Sequence, residues 1–182
     1  MSDPTGSGRG RSLAMRGIAG AVPGVLLVAV LVAAGRGTAD GDPVIGSTPA
    51  FDVTSGTRTL SAQDLRGTPA VIAFVASWCR PCVQDAPVLR SLHERFDNVR
   101  FVSIGFQDDR SSLAAFASLT GMTWTVADDP GGGAAGAFAV VGVPDTFVLD
   151  ANGHVVGHMI GPLDAATTAG VLRQAGGVEV PA

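Results

Sequence analysis

Hydrophobic residues divide the chain into one long apolar run near the N-terminus and a body of shorter segments. The run covers residues 18–35 and contains no charged residue. In the body, residues 70–76 read AVIAFVA, a continuous apolar stretch of strand length that is typical of a strand covered on both faces. Residues 81–96 place apolar side chains at steps of three and four, which predicts an amphipathic helix.

The rest of the body alternates between strand-like and helix-like segments. Residues 150–153, DANG, contain the Asn-Gly pair that favours a hairpin, and Gly121 is typical of a helix end. The order of segments predicts an α/β fold with a mixed central β-sheet and helices on both faces. Further strands are predicted at 51–53, 99–104, 124–126, 145–149 and 154–160, a short helical turn at 61–65, and helices at 113–119 and 164–175.

The apolar run has the length and flanks of a membrane-directing segment. Its 18 residues are near the lower limit for a helix that crosses a bilayer, and Arg9, Arg11 and Arg16 precede it. Because basic flanks stay on the cytoplasmic side, residues 1–17 are predicted to be a cytoplasmic leader and the body to lie outside. Arg36 directly after the run favours a retained transmembrane anchor, whereas the small residues at 37–39 also fit a cleaved signal peptide.

Composition separates a linker and a folded domain behind this segment. Residues 36–50 are rich in Gly, Pro, Ser, Thr and Asp and predict a flexible linker, so the folded domain is placed at 51–182. Residues 1–36 carry a net charge of +3 and residues 37–182 a net charge of −7. An acidic body argues against phosphate neutralisation, and no nucleic-acid partner is expected.

Two cysteines form a C-x-x-C motif where a buried strand gives way to a helix. A sulfur at the helix start lies near unpaired N–H groups and the positive helix end, which favours a thiolate at Cys79. Cys82, one turn inside the helix, can then attack the mixed disulfide that Cys79 forms. Pro81 fits the first turn, where a missing N–H costs little.

Two other interpretations of the cysteine pair stay open at this point. A structural disulfide is possible, although a loop of four residues constrains little of the unfolded chain. Half of a zinc site would need further ligands, and the only histidines are His93, His154 and His158. We expect these histidines to be solvated rather than to bind metal.

The combined motifs resemble the thioredoxin-like superfamily, and within it the TlpA/ResA-type membrane-anchored thiol-disulfide oxidoreductases. The resemblance rests on Trp78, the C-x-x-C pair that follows it, and Val143-Pro144 before a later strand, and it spans residues 50–176. It implies a thioredoxin-like fold. The stretch around 106–130 resembles the extra βα insertion of the TlpA-type group.

The resemblance implies a role for each matching residue. Cys79 matches the nucleophile and Cys82 the resolving thiol, while Pro144 matches a cis-proline that packs against the disulfide. The backbone of Val143 matches the group that pairs with a substrate chain. Substrate contacts are also expected from other positions of the motif, namely Trp78, Arg80 and Pro81.

Two acidic residues near the motif have open roles. Asp85 matches a glutamate that handles protons in the ResA-like members, but it is one methylene shorter, and a solvated acid near the helix start is the alternative. Arg80 is expected to stabilise a Cys79 thiolate. Asp145 would oppose that effect if it faced the sulfurs.

The resemblance implies an exported, membrane-tethered oxidoreductase that exchanges protein disulfides and acts as a reductant. In this family the substrate is often apocytochrome c, whose C-x-x-C-H thiols are kept reduced for haem attachment, and an integral-membrane thiol protein supplies the electrons. No metal or organic cofactor is expected. The alternatives are an extracytoplasmic disulfide-introducing oxidase, a peroxiredoxin-like peroxidase and a binding module without activity.

Overall fold

The computed structural model describes residues 44–181, which form one seven-stranded sheet with helices packed on it. The predicted leader and the apolar run at 18–35 lie outside the described residues. Among the described residues, no helix has the length and hydropathy needed to cross a membrane. The strands are β1 Asp52–Ser55, β2 Arg58–Ser61, β3 Ala70–Val75, β4 Arg100–Gly105, β5 Thr125–Asp128, β6 Asp145–Leu149 and β7 Val155–Ile160; the helices are a 3-10 turn Ala62–Leu65, α1 Arg80–Arg95, α2 Arg110–Thr120, α3 Gly133–Ala137 and α4 Ala165–Gln174.

The sheet is mixed, as the sequence predicts. Its strand order is β2-β1-β5-β4-β3-β6-β7, with β3, β4 and β5 parallel to one another and the other pairs antiparallel. Strand β3 lies inside the sheet, and every one of its residues is buried. This explains its unbroken apolar sequence, because a strand covered on both faces has no solvent side.

Two apolar clusters cover the two faces of the sheet. One face carries Phe74 and Phe147 and packs against α3 and the segment from Val44 to Phe51. The other carries Val71 and Val75, and it packs against α1, α2 and α4. The cysteines of the C-x-x-C motif belong to this second cluster. The prediction of helices on both faces is therefore confirmed.

Residues 106–130, expected to hold the extra βα insertion, contain α2 and β5 in that order. Strand β5 extends the sheet between β4 and β1. Asp109 caps α2 by accepting hydrogen bonds from the N–H groups of Ser111 and Ser112, and Gly121 ends it in the left-handed conformation at φ 68°. The insertion therefore adds a strand to one edge of the parallel part of the sheet.

The sequence analysis did not predict strand β2 and gave no bounds for helix α3. Strand β2 is half-exposed and polar, so its RTLS sequence has no apolar alternation to reveal it. Helix α3 lies in a glycine-rich stretch that favours loops. It forms because the Asp129 carboxylate accepts hydrogen bonds from the N–H groups of Ala134 and Ala135 at 3.2 and 2.8 Å.

The predicted linker is shorter than expected at its C-terminal end. Val44 is buried in the first cluster, and the Gly46 N–H donates to the Val155 carbonyl at 2.8 Å. The Val155 N–H in turn donates to the Ser47 carbonyl at 2.9 Å. Residues 44–50 therefore pack on the folded body, which begins before Phe51, because they satisfy backbone groups at the edge strand β7.

Gly157 on β7 is required by the packing of α4. A Cβ added there would lie 2.4 Å from Val171 Cγ1 and 3.5 Å from Val148 Cβ. Valine is stiff at its first side-chain torsion and cannot move aside cheaply. We expect Gly157→Ala to lower the free energy of unfolding by about 1–3 kcal/mol, measured by urea denaturation.

Gly170→Ala is the matched control for this change. Gly170 lies next to Val171 on α4, but a Cβ there would have no atom within 4 Å beyond its chain neighbours and the backbone of its own helix. Alanine has a higher helix propensity than glycine, so the free energy of unfolding should stay level or rise by up to about 1 kcal/mol. Equal destabilisation by both variants would show that the contact with Val171 is not the cause.

Candidate active site

The cysteine pair lies at the junction of β3 and α1. Cys79 is the residue before the first turn of α1, and its N–H donates to the Ala76 carbonyl at 3.1 Å. Cys79 and Cys82 form a disulfide with their Cα atoms 5.3 Å apart. The Cys82 N–H points at Cys79 Sγ, 3.1 Å away. A helix N-terminus and a directed N–H both favour negative charge on that sulfur, so Cys79 is the better leaving group and nucleophile of the pair.

Both cysteines are covered, and the residues around them are exposed. Cys79 is 3% and Cys82 0% exposed, whereas Trp78 is 59% exposed. Arg80 and Pro81 are also exposed, with Pro81 in the first turn of α1. Trp78, Arg80 and Pro81 are therefore accessible to a partner protein, and their role in substrate binding stays a prediction.

The Val143–Pro144 segment lies just before β6. Their peptide bond is cis, the conformation that the resemblance implies. Pro144 is buried and its carbonyl accepts a hydrogen bond from the Gly161 N–H at 3.0 Å. Val143 is half-buried and packs against the cluster that contains both cysteines. The substrate-pairing role of Val143 remains a prediction.

Asp85 is a buried acid one helical turn beyond Cys82. It is 4% exposed, and its Oδ1 accepts a hydrogen bond from the Leu163 N–H at 3.0 Å. Its Oδ2 has no hydrogen-bond partner among the described residues. Burial raises the pKa of Asp85, and the Leu163 hydrogen bond opposes part of that rise. The alternative of a solvated acid at this position is wrong.

Asp145 does not face the disulfide. In the pairing of β3 with β6 it lies opposite Phe74, on the sheet face of the first cluster, whereas the cysteines pack on the other face. Its Oδ1 lies 2.7 Å from His158 Nε2, and both side chains are nearly buried. This geometry therefore does not support an effect of the Asp145 charge that opposes the stabilisation of the Cys79 thiolate by Arg80.

The histidines are not all solvated, which corrects the expectation for two of them. His158 stacks on Phe147 with ring centroids 4.2 Å apart. The half-buried His93 ring lies 5.2 Å from the rings of both Phe101 and Trp124. His154 remains about half exposed. Within residues 44–181, no three His, Cys, Asp or Glu side chains are grouped to hold a metal ion.

One part of the site was missed by the sequence analysis. The loop after β4 contacts the turn that precedes Cys79: Asp108 binds Ser77, and the Gln107 carbonyl binds the indole of Trp78. These contacts join residues about 30 positions apart. The parallel pairing of β3 with β4 in the structure places the two segments side by side, and no sequence motif marks their contact.

Comparison with known proteins identifies the family. The sequence profile of the AhpC/TSA family matches residues 45–158, which includes the disulfide, Asp85 and Pro144. The chain belongs to the AhpC/TSA family.

Several relatives of this chain are named as thiol-disulfide oxidoreductases or thiol:disulfide interchange proteins. It is 27% identical over 119 residues to the thiol-disulfide oxidoreductase ResA of Bacillus anthracis, covering 64% of this chain and 69% of the relative. It is 33% identical over 119 residues to the thiol:disulfide interchange protein DsbE of Pseudomonas fluorescens biotype C, covering 64% and 66%. It is 33% identical over 102 residues to HelX of Rhodobacter capsulatus, covering 55% and 57%.

Solved structures share the fold of this family member. A thiol:disulfide interchange protein DsbE from Chlorobium tepidum matches with a TM-score of 0.67 at 24% identity, covering 74% of this chain and 99% of that one. A secreted disulfide oxidoreductase of Mycobacterium tuberculosis matches with a TM-score of 0.63 at 23% identity, covering 68% and 95%. The predicted family, thioredoxin-like fold and enzyme class are therefore confirmed: the protein is a thiol-disulfide oxidoreductase.

Asp85→Asn should stabilise the protein near neutral pH. Because the folded-state pKa of Asp85 is raised, its stabilising contribution is complete below the ordinary value of 3.8 and is lost as pH rises through the folded-state pKa. Asparagine does not ionise and can still accept the Leu163 hydrogen bond. We expect a gain on the order of 1 kcal/mol at pH 7.5, measured by urea denaturation.

The gain should shrink at pH 4, because a carboxyl with a raised pKa is more protonated there than at pH 7.5. Glu94→Gln, at an exposed position of the same helix, is the control and should show no such pH dependence. An Asp85→Asn protein that is less stable than wild type at both pH values would contradict this account of Asp85.

Proposed function

We propose that this protein is an exported, membrane-tethered reductant of protein disulfides on the outer face of the cytoplasmic membrane. The observation that supports the chemistry best is the Cys79–Cys82 disulfide at the N-terminus of α1, covered by protein but bordered by the exposed Trp78. The tether is proposed from the apolar run at 18–35 and the arginines before it. Names such as ResA and DsbE among the relatives fit the same chemistry.

The proposed reaction begins with the reduced pair. The Cys79 thiolate forms a bond to one sulfur of a substrate disulfide, and the other substrate sulfur leaves as a thiolate that takes up a proton. Cys82 then loses its proton and attacks Cys79 Sγ. This step closes the Cys79–Cys82 disulfide and releases the second substrate sulfur, so two electrons pass from the enzyme to the substrate.

We propose that Asp85 accepts the proton that the Cys82 thiol loses. Cys82 and Asp85 are three positions apart on α1, a spacing that places side chains on the same helix face. Cys82 is fully buried, so solvent does not reach its proton directly. Asp85 Oδ2 has no partner among the described residues, and a carboxyl with a raised pKa is a better base for a thiol than an ordinary one.

The proposed substrate is apocytochrome c, and the proposed electron source is an integral-membrane thiol protein. Both follow from the resemblance to the TlpA/ResA-type enzymes. The geometry is compatible with a polypeptide substrate, because exposed Trp78 and Pro81 offer apolar contact area next to the covered sulfurs. A donor must reach the same sulfurs, so donor and substrate use this surface in turn.

One observation favours the reverse direction as a second candidate. Arg80 adjoins Cys79, and Asp145, which would have opposed its charge, lies on the other face of the sheet. A stabilised thiolate makes the disulfide a better oxidant, as required of a disulfide-introducing enzyme. Arg80 is exposed, however, so solvent screens much of its effect.

Cys82→Ser should trap the substrate. Without the resolving thiol, the mixed disulfide between Cys79 and the target persists, so non-reducing gels of the native host should show new bands that disappear with reductant. Cys79→Ser retains the buried thiol but removes the nucleophile and should show none. Mass spectrometry of the trapped bands identifies the partners. Absence of any mixed disulfide in Cys82→Ser cells would contradict a role in protein disulfide exchange.

The direction of electron flow is tested by the redox state of the pair in intact cells. Alkylation after acid quenching should find Cys79 and Cys82 mainly as thiols, and the reduction potential should lie nearer about −270 mV than about −120 mV. A mainly oxidised pair with the higher potential would establish the oxidase instead. Recovery of the native protein from washed membranes with a new N-terminus at Asp40 would contradict the anchor while leaving export intact.

A further inference from the structure

The turn before the nucleophile is held from outside the C-x-x-C motif. The Asp108 carboxylate accepts two hydrogen bonds from Ser77, one from its backbone N–H at 2.5 Å and one from its hydroxyl at 3.0 Å. The neighbouring Gln107 carbonyl accepts a hydrogen bond from the Trp78 indole N–H at 3.3 Å. Three hydrogen bonds thus join one loop to the two residues that precede Cys79.

This loop, residues 106–109, is itself fixed at both ends. The Phe106 N–H donates to the Val75 carbonyl at 2.8 Å, which continues the ladder between β3 and β4. Asp109 caps the first turn of α2, and hydrogen bonds from Ser111 and Ser112 keep its pKa low. Between these anchors, Gln107 has a left-handed backbone with φ 49°. A non-glycine residue in this conformation persists where its surroundings hold it, as the indole bond to its carbonyl does here.

The loop contacts matter most when the disulfide is open. In the oxidised protein the sulfur–sulfur bond ties Cys79 to Cys82 and so restrains the end of the turn that carries the nucleophile. Reduction removes that tie, while the bonds from Asp108 to Ser77 do not involve sulfur and can persist. A nucleophile attacks efficiently only when it is held close to the reacting geometry, and small misplacements are costly.

We infer that Asp108 is a positioning residue that holds the Ser77–Cys79 turn of the reduced enzyme in its attacking geometry, through its two hydrogen bonds to Ser77. It does not touch the reacting sulfurs. This inference rests on disulfide exchange through Cys79, which is common to both directions of electron flow, and not on the reductant role or the substrate proposed above.

The test measures two half-reactions of the full-length protein. The first is attack of the reduced enzyme on the disulfide of insulin, and the second is reduction of the oxidised enzyme by dithiothreitol. Asp108→Ala should slow the first by about tenfold and leave the second within about twofold of wild type, because the disulfide restrains the turn in the oxidised state. A loss of global stability alone would slow both half-reactions to a similar extent.

Asp108→Asn is the conservative variant. Its carbonyl oxygen can accept from the Ser77 N–H and its amide can donate to the Ser77 hydroxyl, so it should restore the first half-reaction to within about threefold of wild type. Asp97→Ala, which removes an acid at an exposed position, controls for net charge and should match wild type. If Asp108→Ala does not fold, Ser77→Ala removes only the hydroxyl bond and should slow the first half-reaction by about threefold.

Three results would overturn the inference. They are a folded Asp108→Ala protein with wild-type rates, an equal loss in both half-reactions, and an Asp108→Asn protein as slow as Asp108→Ala. The last result would assign the effect to the charge of Asp108 and not to its hydrogen bonds. A wild-type protein that does not exchange disulfides would instead contradict the enzyme class, so the two failures are distinguishable.

Discussion

Three separate parts of the chain meet at the carboxyl end of β3 because this buried strand pairs on both sides. Its last residues lead into the turn before Cys79. Antiparallel pairing with β6 sets Asp145 opposite Phe74, which places Pro144 next to the end of the strand. Parallel pairing with β4 sets Gly105 opposite Val75, so the loop that carries Asp108 starts at the same edge. The register of one strand thus assembles the redox centre.

The sheet also separates the two buried acids near this edge. Asp85 lies among the helices on the cysteine side of the sheet, where burial raises its pKa. Its Oδ2 has no hydrogen-bond partner among the described residues and is available to bind a proton. Asp145 lies on the opposite side against His158. An acid is useful to a thiol only if it is on the same face, so proximity in sequence to Pro144 is a poor guide to electrostatic influence on Cys79.

Local patterns in the sequence were sufficient for much of this arrangement. The helix predicted at 81–96 begins and ends within one residue of α1, and the strand at 145–149 coincides with β6, because apolar periodicity and Pro81 are local signals. Partners distant in the chain were not predictable. Asp108 reaches Ser77 across 31 positions, and His158 reaches Asp145 across a hairpin, and neither pair has a motif of its own.

Burial of both sulfurs affects which reactants can reach the redox centre. With Cys79 only 3% exposed, free small thiols and oxidants in the surrounding solution meet little sulfur surface, and collisions from most directions are unproductive. A protein that docks on the exposed residues beside Cys79 can bring its own sulfur to this covered centre. We therefore expect disulfide exchange with docking proteins to be faster than exchange with small thiols or oxidants of the same potential.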